Sequence, residues 1–343
     1  MLAPSSISLN TMVNTLKSAA ESSRLRILVL LSQCDLTVSD LTDILSQSQP
    51  RVSRHLKLLL EADLIGRYQE GSWAYFRLSD SEAARDFVAG LVARVDVADP
   101  MIERDLERLG AVRRRRQERA SEYFSRNAAS WDEIRSLHAP DEAVEKALKQ
   151  MVGAAPFQSM LDLGTGTGRL LELFAPQFVR GVGVDMSREM LAIARANFDR
   201  ANLTNVQVRH GDVYAPPVDR ESFDLITIHQ VLHYLDDPAR AIAEAARLLR
   251  PAGRLIIVDF APHGLEFLRD KHAHVRFGFS DEQIAGWLKD AGLDADKPRA
   301  FASTGEGREQ LTVKLWSARD PRMLIADPAA QDNSRVSRYS ESA

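Results

Sequence analysis

A chain of 343 residues, 45% hydrophobic and 27% charged with 18 Gly and 14 Pro, is too long for one ordinary core and excludes collagen-like, low-complexity and wholly disordered classes; two folded domains are expected. The 44 Lys+Arg against 48 Asp+Glu leave a net charge of -4, which excludes a global polycation and confines nucleic-acid binding to a local surface. The single cysteine, Cys34, excludes an internal disulfide and a multi-cysteine zinc site and fits a reducing cytoplasm, while the longest early apolar run, Ile27 to Leu31, is far short of the ~20 residues of a membrane span, so neither export nor a membrane partner is expected.

Residues 1–98 read as short helices plus one hairpin. Val38 to Leu45 sets Val38, Leu41, Ile44 and Leu45 on one helical face, and Ser46-Gln47 makes a tight turn. Ser48 is placed to cap a second helix, with Pro50 in its first turn where a missing N–H costs nothing. Val52, Leu56 and Leu59 form the buried stripe of that helix, which leaves Gln49, Arg51, Ser53, Arg54 and Lys57 on the other face. These types suit a recognition helix, because Gln and Arg bond base edges bidentately while Lys, Ser and further Arg hold phosphates. Leu64 to Tyr68 and Trp73 to Leu78 are β-prone and joined through Glu70-Gly71-Ser72, which places Arg67 and Arg77 to flank a minor groove or its phosphates.

The run Ser48-Gln49-Pro50-Arg51-Val52-Ser53-Arg54-His55-Leu56-Lys57, with the wing Glu70-Gly71-Ser72-Trp73-Ala74-Tyr75-Phe76, resembles the ArsR/SmtB family of winged-helix repressors over Leu9 to Val97. The resemblance implies a symmetric homodimer, with terminal helices such as Ser81 to Val95 across its interface, and a double-stranded DNA operator as partner. The thiolate pair with which some members sense metals falls at Thr37 and Ser39, neither a soft ligand, so no metal is expected. Cys34 is expected to be a small buried residue.

Residues 99–130 are charge-dense. Ile102, Leu106 and Leu109 recur at i, i+4, i+7 among Glu/Arg pairs, which predicts a solvent-exposed linker helix with one buried seam and with Arg113 to Arg116 on a solvated face.

From Met160 onward the texture changes to short apolar runs alternating with helical stretches, the pattern of a parallel sheet with crossover helices. Met160 to Leu163 runs into Gly164-Thr165-Gly166-Thr167-Gly168 and then a helix, Arg169 to Phe174; glycines permit a sharp bend and close approach of a ligand to backbone. Asp185 follows Gly164 by 21 residues at the end of a second strand, where a carboxylate meets the two hydroxyls of a ribose. A nicotinamide dinucleotide fits less well, because Arg169 stands where the G-x-G-x-x-G fingerprint sets its third glycine. Asp162, just before the glycines, repels a pyrophosphate and attracts an ammonium, so the expected ligand is a nucleoside carrying a cation, such as S-adenosylmethionine.

Asp162 to Gly168, Asp185-Met186-Ser187, Gly211-Asp212-Val213, Ser222 to Ile226 with His229-Gln230-Val231-Leu232-His233, and Leu249 to Leu255 together resemble the class I S-adenosylmethionine-dependent methyltransferases, notably the ubiquinone and menaquinone branch, over Tyr123 to Ser317. The implied fold class is α/β: an N-terminal winged helix-turn-helix domain plus a C-terminal Rossmann-like seven-stranded methyltransferase domain at 131–318, with Arg299 to Ala302 and Leu311 to Trp316 as an antiparallel terminal pair joined through Thr304-Gly305-Glu306-Gly307. The polar stretch 319–343 is expected to be a disordered tail. By the resemblance Asp162, Gly164, Thr165, Gly166 and Gly168 belong to the cofactor turn and methionyl end, Asp185 to the ribose, Met186 and Val213 to the adenine faces, and Asp212 to its exocyclic amine. His229 borders the same site. Tyr123-Phe124 and Trp131-Asp132 are candidates for a lid.

Methyl transfer is an in-line displacement at an activated carbon, so alignment and water exclusion dominate and a base is optional. His229 and His233, just past the fourth strand, are the candidate bases for a hydroxyl nucleophile. His263, His272 and His274 lack a defined third ligand set and read as pocket lining or surface. Two functions are compatible with these residues. One is a DNA-binding regulator, bifunctional, whose methyltransferase domain binds S-adenosylmethionine or, as effector, S-adenosylhomocysteine. The other is a working methyltransferase on a small-molecule acceptor in which DNA binding is secondary.

Overall fold

A computed structural model describes residues 8–70, 73–79, 81–128, 131, 141–302 and 311–323. The N-terminal unit comprises α1 (Leu9–Ala19), α2 (Ser22–Leu31), β1 (Leu36–Thr37), α3 (Val38–Leu45), α4 (Gln49–Glu61), β2 (Ile65–Glu70), β3 (Trp73–Leu78) and α5 (Glu82–Val92). Helix α3 starts on a capping box in which Thr37 Oγ1 accepts from the Asp40 N–H at 3.2 Å and Asp40 accepts from the Thr37 N–H at 2.9 Å. It stops where Ser46 turns left-handed, at φ 51°. Ser48 occupies the N-cap of α4 as expected, but its side chain makes no capping bond; Pro50 supplies the start signal instead. The hairpin is longer on its first strand than the sequence predicts, and β1 adds a third strand through Leu36 opposite Phe76.

The linker helix is α6 (Pro100–Asn127), begun by Asp99, whose carboxylate accepts the N–H groups of Met101 and Ile102. The expectation of a solvent-exposed connector needs correction. Leu109 and Val112 are buried in the same cluster as Ile27, Leu41, Ile44, Val52 and Leu56, so the first half of α6 belongs to the winged-helix core. Buried Asp105 takes the Arg26 guanidinium in a two-pronged ion pair at 2.5 and 2.7 Å, a geometry that offsets desolvation of both charges. The reason is a seam one turn longer than the sequence pattern showed.

The C-terminal unit comprises α7 (Asp141–Val152), β4 (Phe157–Leu163), α8 (Arg169–Phe174), β5 (Phe178–Asp185), α9 (Arg188–Arg200), β6 (Val206–His210), β7 (Phe223–His229), α10 (Pro238–Leu248), β8 (Leu249–Phe260), α11 (Phe267–His272), α12 (Asp281–Asp290), β9 (Asp294–Ala295), β10 (Arg299–Ala302) and β11 (Thr312–Arg319). Strand order is β10-β11-β8-β7-β4-β5-β6, with β9 added beside β11. Strands β6, β5, β4, β7 and β8 run parallel, and β11 pairs antiparallel with both β8 and β10. The apolar runs are continuous because both sheet faces are covered: Leu161, Leu163, Ile226 and Ile228 enter one cluster, Met160, Leu225 and Ile256 the other. Order reverses at β4, flanked by β5 and β7, and an open α/β sheet binds ligands at such a switch point, beyond the carboxyl ends of its strands.

The expected tail begins too early. Strand β11 continues to Arg319, Asp320 is buried with its N–H donating to the Gly253 carbonyl at 2.9 Å, and Arg322 pairs with Asp320. Residues 324–343 and the turn Thr304 to Gly307 lie outside the described residues. No helix among the described residues is long and apolar enough to cross a membrane.

Candidate active site

The carboxyl end of β4 opens into the glycine turn, whose Gly164 and Thr165 N–H groups both donate to the Val184 carbonyl, at 2.8 and 3.0 Å. This bend requires glycine at two points in particular. Gly164 has φ 72° and a Cβ there would lie 2.4 Å from Val231 Cγ2; Gly168 has φ 86° and a Cβ would lie 2.5 Å from Phe198 Cζ. Asp162 is buried just before the turn and accepts a hydrogen bond from Thr227 Oγ1 at 2.6 Å. Asp185 ends β5 and accepts the Gly166 N–H on one oxygen and the Ser187 N–H on the other, each at 2.8 Å. Burial raises the Asp185 pKa, against the pull of those N–H bonds. Each of its oxygens keeps a second lone pair, so one carboxylate can brace the turn and still accept two ligand hydroxyls.

Gly164, Thr165, Gly166, Asp162 and Asp185 line one cleft of about 320 Å³ together with Met186, Asp212 and Val213. Gly168 supports the turn from behind, against Phe198 and Ala194. Met186 is 39% exposed and Val213 buried, a pair suited to the two faces of a flat ring. His229 lines the cleft where β7 ends. The expectation for His233 needs correction: it is not among the lining residues. Its ring is buried with Nδ1 2.8 Å from the Asp259 carboxylate, because the 3-10 turn Leu232–Tyr234 carries it inward. Tyr234, the next residue, lines the cleft instead.

Of the aromatics suggested as a lid, Phe124 and Trp131 line the cleft, their rings edge-to-face at 5.3 Å, and Phe124 meets Tyr234 in the same way at 4.7 Å. Tyr123 is not among the lining residues; it packs edge-on against Phe124 and Trp131 and shares a hydrogen bond of 2.7 Å with His272 Nδ1. Asp132 lies outside the described residues. Among the other lining residues that escaped the sequence are Gln230, Arg240 and Arg113. Gln230 holds a left-handed backbone at φ 55°, a strained state that nothing in its side chain announces. Arg240 sits over the Tyr214 ring at 5.0 Å, and Arg113 of α6 reaches the cleft while donating to the Gln33 carbonyl at 2.7 Å. Arg113 is therefore not part of a solvated face. No metal-binding cluster is found among the described residues.

A nucleoside bearing an aminoacyl arm fits this donor set. Two carboxylates, Asp162 and Asp185, line the cleft as acceptors for an ammonium and for hydroxyls, and the turn presents backbone without a Cβ. A dinucleotide would place its pyrophosphate against Asp162, and like charges repel there.

On the winged helix, Gln49, Arg51, Ser53, Arg54 and Lys57 share the exposed side of α4, opposite buried Val52, Leu56 and Leu59; Lys57 also pairs with Glu61 at 3.7 Å. Arg67 is exposed on β2. Arg77 does not join them. It is half-buried with its guanidinium over the Tyr68 ring at 5.3 Å, on the hairpin face where Tyr75 meets Arg269 and Arg276 of the C-terminal unit.

Residues 161–257 match the family described as methyltransferase domain, and residues 21–66 match bacterial regulatory protein, arsR family. Among curated relatives, the methyltransferase YcgJ of Bacillus subtilis is 28% identical over 46% of this chain and 76% of its own length. The malonyl-[acyl-carrier protein] O-methyltransferase of Hahella chejuensis is 32% identical over 62% of this chain and 71% of its own. The arsenite methyltransferase of Halobacterium salinarum is 33% identical over 50% of this chain and 47% of its own. Glycine turn, paired carboxylates, strand order and these matches agree: the chain belongs to the class I S-adenosylmethionine-dependent methyltransferases and carries a helix-turn-helix domain of the ArsR family fused at its N-terminal side.

Proposed function

We propose that this protein is a homodimeric operator-binding regulator whose methyltransferase domain binds S-adenosylmethionine and S-adenosylhomocysteine and methylates a small-molecule acceptor. The observation that carries this reading is the shared helix α6, which gives Leu109 and Val112 to the winged-helix core and both Arg113 and Phe124 to the cofactor cleft. One rigid element thus serves both modules, as a regulator responsive to its own cofactor requires.

When bound, S-adenosylmethionine supplies an electrophilic methyl group on a sulfonium. Asp185 then accepts from the ribose hydroxyls, Asp162 faces the methionyl ammonium, and Met186 and Val213 clasp the adenine, with Asp212 at its amine. Phe124, Trp131 and Tyr234 wall part of the remaining space and exclude water, with Arg113, Arg240 and Asp236 beside them. The aromatic part of that wall suits a flat acceptor. His229 is the group placed to take a proton from a hydroxyl nucleophile. Arsenite does not fit as acceptor, because soft arsenic requires thiolates and the one cysteine of this chain, Cys34, lies in the winged-helix core.

For DNA, Gln49, Arg51, Ser53, Arg54 and Lys57 enter the major groove and Arg67 meets the backbone beside it. We assign the dimer face to the terminal helices, α1 foremost. Helix α5 spends Phe87, Val88 and Leu91 on its own core, whereas α1 exposes Leu9, Val13 and Leu16 at 79%, 37% and 46%, one stripe at i, i+4, i+7. Calorimetry with both nucleosides, a duplex-binding assay with each present, and transfer of labelled methyl to a small-molecule extract test the reading. Absence of nucleoside heat, or duplex affinity indifferent to saturating nucleoside, would defeat it.

A further inference from the structure

We propose that Arg276 is a latch joining the cofactor cleft to the wing, so that nucleoside occupancy sets the position of the β2–β3 hairpin. The inference rests on the reading above, that one chain both binds the nucleoside and grips DNA. Arg276 lies between α11 and α12 and does not line the cleft. Its side chain is 5% exposed.

On the cleft side, Arg276 Nη2 donates to the Asp236 carbonyl at 2.6 Å, and the N–H groups of Val275 and Arg276 both donate to the His233 carbonyl at 2.9 Å. Residues 231–237 are the segment that walls the cleft through Val231, Tyr234 and Asp236. On the wing side, Nη1 stands 3.4 Å from the Asp35 carboxylate and donates to the Tyr68 hydroxyl, which itself donates to Asp35 at 2.6 Å. The guanidinium also lies over the Tyr75 ring at 5.2 Å, and Tyr75 stacks on Tyr68, its cross-strand partner, at 5.6 Å.

A buried guanidinium that loses a partner leaves an uncompensated charge behind, so Arg276 cannot follow one domain and abandon the other. Movement of 231–237 as the cleft fills either carries Tyr68 and Tyr75 with it or breaks the pair. Both results reach the hairpin that bears Arg67. Arg113 holds a second point of the same contact, bonded to the Gln33 carbonyl and lining a cleft together with Asp237. The latch therefore acts against a fixed helix rather than a free hinge.

Hydrogen exchange on the full chain, with and without saturating S-adenosylhomocysteine, reads this directly. In the wild-type protein, exchange should change both at 162–168 and at 65–78. In Arg276→Met, and separately in Tyr68→Phe, which keeps the stacked ring and removes only the hydroxyl, the response at 65–78 should be lost while protection at 162–168 and nucleoside affinity persist. A wild-type response at the glycine turn alone would overturn the latch and leave nucleoside binding standing. A wing response surviving in both variants would overturn it too. No response at 162–168 in wild type would overturn the nucleoside reading and the latch together.

Discussion

Replacing Asp185 by Asn tests the center of the cofactor site with almost no change of shape. Its two oxygens each accept one backbone N–H at 2.8 Å, from Gly166 and Ser187. The amide keeps one acceptor and turns its own N–H groups toward the other backbone donor. Loss of a bond to a charged acceptor costs about 1.5–3 kcal/mol, which for a domain of this size lowers the melting temperature by about 3–12 °C. Burial already penalises the ionised carboxyl, and Asn relieves that penalty, so the lower half of the range is expected. One ribose acceptor disappears as well, and the Kd for S-adenosylhomocysteine should rise about 10- to 100-fold. Titration calorimetry on Asp185→Asn, with near-UV circular dichroism to establish folding, measures both effects. A folded variant that binds within about threefold of wild type would refute the ribose assignment. The pH dependence follows from the same group. Binding needs the carboxylate, so affinity is full above the raised pKa and falls as pH drops through it, earlier on acidification than the ordinary value of 3.8 would give. The folding contribution has the opposite sign: greatest below the ordinary value, it declines as pH rises through the raised one.

Three further outcomes are expected. Gly168→Ala should destabilise by about 2–4 kcal/mol, combining a left-handed alanine with a Cβ driven against buried Phe198; a wild-type denaturation midpoint would show that the turn relaxes freely. Arg54→Ala should reduce the salt slope of duplex binding by about 1 while Arg77→Ala leaves it unchanged, and equal effects would put Arg77 back at the groove. Burial lowers the His263 pKa to about 4, so the unfolded chain binds a proton near 6.5 that the folded chain refuses until about 4. Folding stability should therefore fall across that interval on acidification, and His263→Gln should flatten the curve measured by thermal unfolding; an unaltered curve would show another group responsible.

The glycine turn was legible because left-handed backbone beside a packed residue admits little besides glycine, and a carboxylate at a strand end has few other uses. Helix α4 was equally legible, since its apolar and basic residues fall on opposite arcs. What escaped notice has no local pattern. Arg276 is one arginine in a loop, 241 residues from Asp35. Sequence periodicity gave α6 a seam but not the domain it faces, and Val112 extends that seam past the last residue the pattern captured. His229 and His233 are alike in sequence; only the 3-10 turn that drops His233 onto Asp259 separates them. Arg77 read as a groove contact because strand alternation shows which residues share a face but not which face a second domain covers.

Helix α6 runs 28 residues, about 42 Å at 1.5 Å per residue, and its first half closes the core of the DNA-reading head. An excised head ending at residue 98 would leave a furrow in place of Leu109 and Val112, each worth about 1.5–3 kcal/mol of burial, and would strand Arg26 without Asp105. Any graft of a different catalytic body onto this head must splice downstream of Val112. Whatever is joined there inherits a lever already locked to its reader.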